Sequence, residues 1–412
     1  MGMGEMQVRF VAVVWHEGRA RGRRRAVAAL RPVIAEGGVK VRTRYLLSRL
    51  LLACAVLLCP AVAWTQAQAN GYEHFSIGDV AAKTPGHTAP GLLLMGGGRE
   101  IVDAFKWFAA QAGHGHVVIL RASGDDELQN WIYHDVGGVA SVQTLIFHAR
   151  APASDPRVLA IIKHADGIFI AGGDQANYVR FWKDTPLDRL INAHVRAGKP
   201  LGGTSAGLAI LGEWGYGAMD GGSITSPEAL RDPDGPAVTL VDHFLALARL
   251  RGIITDTHFV QRDRLGRLLA FVARAAKDQH TAAITGLGVD QDSALLVDAN
   301  GDARFLSWHA DGHAWLVVPS KMREVEREGG RAALDAYLKN RVAPGKPLNL
   351  DGYVVTGIGT SSHLHLPDCT VENATFVRHI DVVNGRLVEH AGGSVGAGRA
   401  PRADLIHQRA QP

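Results

Sequence analysis

Ser205 lies in Gly203-Thr204-Ser205-Ala206-Gly207, a G-x-S-x-G spacing that runs directly into the apolar Leu208-Ala209-Ile210-Leu211. Small residues on both sides of a serine let a strand turn sharply into a helix, which projects the hydroxyl outward as a nucleophile. The following backbone N–H, that of Ala206, is then free to stabilise an oxyanion. A serine that merely caps a helix produces the same letters, so the neighbouring segments must decide.

Three segments could converge on that serine. Ala171-Gly172-Gly173-Asp174-Gln175 follows a buried-strand run, where glycine backbone can face a ligand; Gly173 is the second candidate oxyanion donor. DTHFVQRDRLGR at 256–267 leaves another strand pattern and offers His258 as a base that takes the serine proton and returns it to a leaving amine. Its Arg262, Arg264 and Arg267 have the planar guanidinium suited to carboxylates. His243 is a rival base on local pattern alone. GLGVDQDSA at 286–294 supplies Asp290 and Asp292, and Asp220 is a carboxylate earlier in the chain.

His363 and His365 alternate along a strand pattern and could ligate zinc together with Cys369. A polar strand face accounts for the pair more simply, so no metal site is assigned.

These segments need a scaffold that brings strand ends together. From about residue 91 to 268 strand and helix signals alternate: strand runs at 92–95, 116–120, 144–147 and 167–171 are interleaved with helical periods such as Ile101, Phe105, Phe108, Ala109. Such alternation predicts an α/β fold, a mostly parallel sheet flanked by helices with a strand-to-helix nucleophile elbow. After Gly288 the pattern becomes β-rich, and Asn300-Gly301, Asp311-Gly312 and Asn384-Gly385 each read as hairpin turns. The expected organisation is an α/β domain over 70–297, a β-rich C-terminal extension over 298–391 and a disordered tail over 392–412.

The chain has 412 residues, 47% hydrophobic and 20% charged, ordinary for a globular protein with a large core. Lys40, Arg42, Arg44 and Arg49 precede an apolar stretch at 50–63 and Ala67-Gln68-Ala69, the three parts of a secretory signal peptide over 39–69. Residues 1–38 read as an over-long start. Without residues 1–69 the chain keeps 33 basic and 37 acidic residues, a net charge of about −4 in place of the whole-chain +4. The basic pI thus belongs to the leader, and nothing favours a nucleic-acid partner. The apolar run is too short to span a bilayer, so no stable membrane insertion is expected once it is removed. Cys369 alone would remain of the 3 cysteines, which excludes an intrachain disulfide there.

In order and separation, Gly172-Gly173-Asp174-Gln175, the serine elbow, Asp256-Thr257-His258-Phe259 with its arginines, and Gly286-Leu287-Gly288-Val289-Asp290 resemble the cyanophycinase and aspartyl dipeptidase family of serine peptidases. The resemblance covers about residues 92–297. It implies Ser205 as nucleophile and His258, over His243, as base. It also implies Gln175, Asp256, Arg262, Arg264 and Arg267 as substrate-pocket residues, and no metal or organic cofactor. The implied substrate is a peptide with an amide next to aspartate, including the β-aspartyl-arginine links of cyanophycin; the expected location, periplasmic or extracellular, rests instead on the signal peptide over 39–69. A homodimer is open.

Two positions depart from the family pattern. Thr257 stands where glutamine is usual, and Gln291 stands where the family places the glutamate expected to orient the histidine. Glutamine can accept the imidazole N–H but cannot offset an imidazolium charge. Reduced activity, takeover by Asp220, Asp290 or Asp292, and a non-catalytic binding protein all follow as alternatives. An α/β-hydrolase-type esterase is the other rival; its Ser, acid, His order would require Asp290 or Asp292 with His309 or His313.

Overall fold

The computed structural model describes residues 71–83 and 86–390; the expected leader and tail lie outside them. Strands β1 (Tyr72–Gly78), β2 (Leu92–Met95), β3 (His116–Arg121), β4 (Ser141–Phe147), β5 (Gly167–Ile170) and β6 (Leu201–Thr204) begin a ten-stranded sheet. Then β7 (Trp214–Tyr216), β8 (Leu240–Asp242), β9 (Ile253–Asp256) and β10 (Thr285–Val289) begin an eight-stranded one. Thereafter the chain alternates between the two. β11 (Ser293–Val297) and β12 (Asp302–Ser307) join the first sheet, β13 (Ala314–Pro319) and β14 (Leu350–Ile358) the second. Next β15 (His363–His365) and β16 (Thr370–Glu372) return to the first, and β17 (Phe376–Val383) and β18 (Arg386–His390) to the second. The β-rich part after 298 therefore extends both sheets.

Parallel pairing is confined to the centres. In the first sheet it joins β4, β3, β5, β6 and β2 in that spatial order, and in the second β10, β9 and β7. The short runs LLLM and GIFI are buried at every position, as expected where helices cover both faces of a parallel sheet. The covering helices include α1 (Val102–Gln111), which packs Phe105 and Phe108 on Phe169 of β5. α2 (Gln175–Trp182) follows β5, and the one-turn α3 (Ala206–Ala209) follows β6. In the second sheet α4 (Leu265–Gln279) crosses from β9 to β10, burying Leu268, Leu269, Phe271 and Val272.

Asn300-Gly301 and Asn384-Gly385 lie in hairpins, β11–β12 and β17–β18. In the second, both turn residues have positive φ, 49° and 74°, the geometry a two-residue turn between twisted strands requires. The hairpin expected at Asp311-Gly312 does not form. β12 pairs with β11 and β15, whereas β13 pairs with β10 and β14, so this turn carries the chain between sheets. The Asp290 carboxylate draws the chain across, accepting from the His313 N–H and the Trp315 indole N–H. β1, which precedes the strand runs read from the sequence, closes one edge antiparallel to β4.

Candidate active site

The carboxyl ends of β2, β5 and β6 in the first sheet lie beside those of β9 and β10 in the second. Ser205, between β6 and α3, has φ 52° and ψ −119°, a conformation that is strained for a residue with a Cβ. Its side chain makes no capping bond to α3. The flanking glycines are required by close approach: a Cβ on Gly203 would stand 2.8 Å from the Gly207 carbonyl carbon, and one on Gly207 would collide with the Ile170 carbonyl. The Ser205 N–H is spent on Met95 O at 3.2 Å, but the Ala206 N–H has no partner among the described residues.

His258 follows β9 with φ 44°, and its own N–H donates to Gly96 O at 2.8 Å. Its Nε2 lies 2.8 Å from Ser205 Oγ, and its Nδ1 lies 2.9 Å from Gln291 Oε1. An amide oxygen can only accept, so the ring carries its proton on Nδ1 and leaves Nε2 to accept from the serine hydroxyl. The ring is 7% exposed. Burial is the main reason its pKa falls below the ordinary imidazole value; the Gln291 bond opposes this, and the Arg262 and Arg264 charges reinforce it. Gly97 lies against the imidazole so closely that a Cβ there would overlap Nε2 and Cε1.

The turn after β10 sends its three candidate orienting residues to different partners. Asp290 accepts from Val260 N at 3.0 Å, Trp315 Nε1 at 3.0 Å and His313 N at 2.9 Å. Asp292 accepts from Arg99 N at 2.6 Å and pairs with His309 Nε2 at 3.0 Å. Only Gln291, whose N–H donates to Gln261 Oε1 at 2.9 Å, faces His258. Asp220 is exposed on a loop, and His243 is exposed beside Asp242. The esterase arrangement fails on the same geometry. His309 is held by Asp292 and His313 packs on Trp315 and Phe376, while Ser205 faces His258.

Of the side chains expected to line the pocket, Asp256, Arg264 and Arg267 are buried. Asp256 is 1% exposed and Arg267 2%, and Arg267 meets both oxygens of that carboxylate through Nε at 2.7 Å and Nη2 at 2.5 Å. Its Nη1 is used by Ser223 Oγ and Ile224 O, and its plane lies over Tyr216 and Phe271. Arg264 donates to Asp256, to Thr257 O at 2.7 Å and to Thr257 Oγ1 at 3.0 Å. Burial pulls the Arg264 pKa down to about 10, still protonated at neutral pH. These bonds brace the chain just before His258, while Arg264 Nε and Nη2 have no hydrogen-bond partner among the described residues. Arg262 is exposed and its guanidinium has no partner among the described residues. Gln175 is half-buried at the start of α2, and its side-chain amide has no hydrogen-bond partner among the described residues.

Gly172 and Gly173 stand next to the elbow: a Cβ on Gly172 would lie 3.3 Å from Ser205 Cβ. The Gly173 N–H has no partner among the described residues. His365 is paired with Asp302, and among the described residues no group of three or more His, Cys, Asp or Glu is placed to hold a metal. Gly97, against the His258 ring, and Gln261, which accepts from the Gln291 N–H, were given no role in the sequence reading. The one signal for Gly97 was its place in Gly96-Gly97-Gly98 after a buried strand.

Residues 92–301, just over half of the chain, match the family model for peptidase family S51. A cyanophycinase from Synechococcus elongatus is 34% identical over 213 residues, 51% of this chain and 61% of that protein. One from Trichormus variabilis is 29% identical over 250 residues, 58% of this chain and 77% of its own. The chain thus spans less than two thirds of the first relative. A peptidase from an acI-B1 Actinobacterium, known as a crystal structure, is 17% identical, with TM-score 0.39 over 56% of this chain and 91% of its own. Serine elbow, strand-end histidine and matched span together show that the chain belongs to peptidase family S51.

Proposed function

We propose that this chain is a serine-type peptidase that cleaves an amide next to aspartate. The observation that carries the reading is Ser205 Oγ at 2.8 Å from His258 Nε2, beside an Ala206 N–H with no partner among the described residues. As Oγ attacks the scissile carbonyl carbon, Nε2 takes the serine proton. The carbonyl oxygen, now negative, receives the N–H groups of Ala206 and Gly173. His258 then gives the proton to the leaving amine, and water, deprotonated by the same nitrogen, releases the acyl group from Ser205.

The cyanophycinase relatives support a β-aspartyl substrate of the cyanophycin type. With Arg264 and Arg267 internal, Arg262 and Gln175 are the side chains left to hold it, Arg262 by pairing with a substrate carboxylate. Incubation of the purified protein with cyanophycin and with a panel of aspartyl dipeptides tests this by release of a free amine. The reading is lost if no member is cleaved.

The neutral amide facing His258 favours one second reading, a binding protein that keeps the pocket and not the chemistry. A fluorophosphonate separates the two: Ser205 reacts in a peptidase and stays unlabelled in an inert binder. We further infer export, on the charge and apolar pattern of 39–69; N-terminal sequencing of secreted protein should find Asn70 first.

A further inference from the structure

We propose that Tyr178 is a positioning residue that aims the Gly173 N–H at the oxyanion; the proposal rests on the serine-peptidase reading above. Tyr178 lies on α2, the helix after the glycine turn, and is fully buried. Its ring is stacked on Trp182 at 4.4 Å and 9°, and Trp182 is held in turn by Phe147 of β4. The hydroxyl therefore stands at a fixed point beneath the turn. From there its single O–H is shared between two consecutive carbonyls, Ala171 O at 2.8 Å and Gly172 O at 2.9 Å.

The second of these bonds has a directional consequence. In a trans peptide the C=O and N–H of one unit point opposite ways. Holding Gly172 O on the Tyr178 side turns the Gly173 N–H to the other side. Gly172 itself lies against the nucleophile, 3.3 Å from its would-be Cβ to Ser205 Cβ. Gly173 could not hold this orientation unaided. Its φ of 150° is glycine territory, and its inner side is already crowded by Ser123 Oγ and Tyr178 Oη at 3.0 Å from a would-be Cβ. A turn with two successive glycines has many orientations of its peptide planes, and the phenol selects one. Asp174, which caps α2 by accepting from Ala176 N at 2.9 Å, fixes the far end of the turn.

Tyr178→Phe in the full-length protein is the test, because it removes one oxygen and keeps the stacked ring. A donor that matters only in the transition state should lower kcat and leave KM within about twofold. The expected loss in kcat is roughly 10- to 100-fold, short of deleting a donor outright. Affinity for an aspartyl aldehyde, whose carbonyl takes up the Ser205 hydroxyl as a hemiacetal, should fall in step with kcat. Affinity for the matching unreactive alcohol should hold. A rise in KM with kcat retained, or equal losses for aldehyde and alcohol, would overturn the proposal. Should the variant fail to fold, the wild type decides by NMR: on aldehyde binding the Gly173 amide proton must shift along with that of Ala206. A stationary Gly173 signal overturns the proposal while leaving Ser205 chemistry intact. If wild-type Ser205 neither labels with a fluorophosphonate nor prefers the aldehyde, the peptidase reading falls and the proposal with it.

Discussion

His258 presents Nδ1 to Gln291 Oε1 at 2.9 Å, so the orienting partner of the base is an amide without charge. The amide supplies the correct tautomer and no compensation for the imidazolium formed during attack, with the Arg262 and Arg264 charges nearby adding to the penalty. Gln291→Glu should therefore raise kcat on any substrate the wild type cleaves, with little change in KM. Loss of a triad carboxylate through its amide can cost about 10⁴ in kcat. A gain of even 10-fold would show that charge was the missing element, and a drop would show a site built around the amide.

The same change should move the pH profile. His258 works deprotonated, and its pKa is lowered mainly by burial, so wild-type kcat/KM should hold to below the ordinary imidazole pKa of about 6.5 before falling with acid. A carboxylate at 291 favours the protonated ring and shifts that acid limb to higher pH. Rate profiles of the two proteins from pH 4 to 8 check the direction.

Gly97→Ala places a methyl group on the imidazole face. Displacing the ring by about 1 Å should cost on the order of 10²-fold in kcat and in fluorophosphonate labelling of Ser205. Stability should fall by only about 1–2 kcal/mol, the cost of a Cβ at φ 95°. Equal labelling rates in both proteins would contradict the packing argument.

Arg267→Met should act on stability ahead of substrate affinity. It strips the buried Asp256 of a bidentate partner, and breaking one side of a buried ion pair costs about 3–5 kcal/mol. Urea unfolding reads the loss. A variant of unchanged stability with a raised KM would return Arg267 to the substrate pocket.

His194 links stability to pH. Burial lowers its pKa from 6.5 to about 4, while its Nε2–H donates to Pro200 O just before β6. Between those values the unfolded chain binds the proton and the folded one does not. The contribution is thus complete above pH 6.5 and lost as pH falls to about 4, about 3 kcal/mol in all. His194→Gln should flatten the pH dependence of urea unfolding across that window by a comparable amount.

The elbow was legible because it is local: a G-x-S-x-G before an apolar run specifies strand, turn and helix within a dozen residues, and Gly203 meets the Gly207 backbone only a turn away, although Gly207 itself packs on Ile170 of the neighbouring strand. His258 was legible for a related reason, since it directly follows a short buried strand. The central parallel strands announced themselves as uninterrupted apolar runs. Beyond this reach, adjacent residues with the same chemistry had different fates. Asp290, Gln291 and Asp292 are consecutive, yet only the middle one faces the base, because the neighbouring carboxylates are taken by N–H groups from 99, 260, 313 and 315. Asp256 and Arg267 read as pocket residues because a carboxylate and a guanidinium look alike whether they await a ligand or each other. Packing of α4 on the second sheet buries both and pairs them. Asp311-Gly312 shows the same limit: its letters specify a bend, but which sheet receives the next strand depends on a hydrogen bond to Asp290, more than twenty residues earlier. Local letters determined backbone shape, and which polar group meets which was decided by desolvation. A buried donor or acceptor must find a partner, and only the assembled fold says which one is within 3 Å.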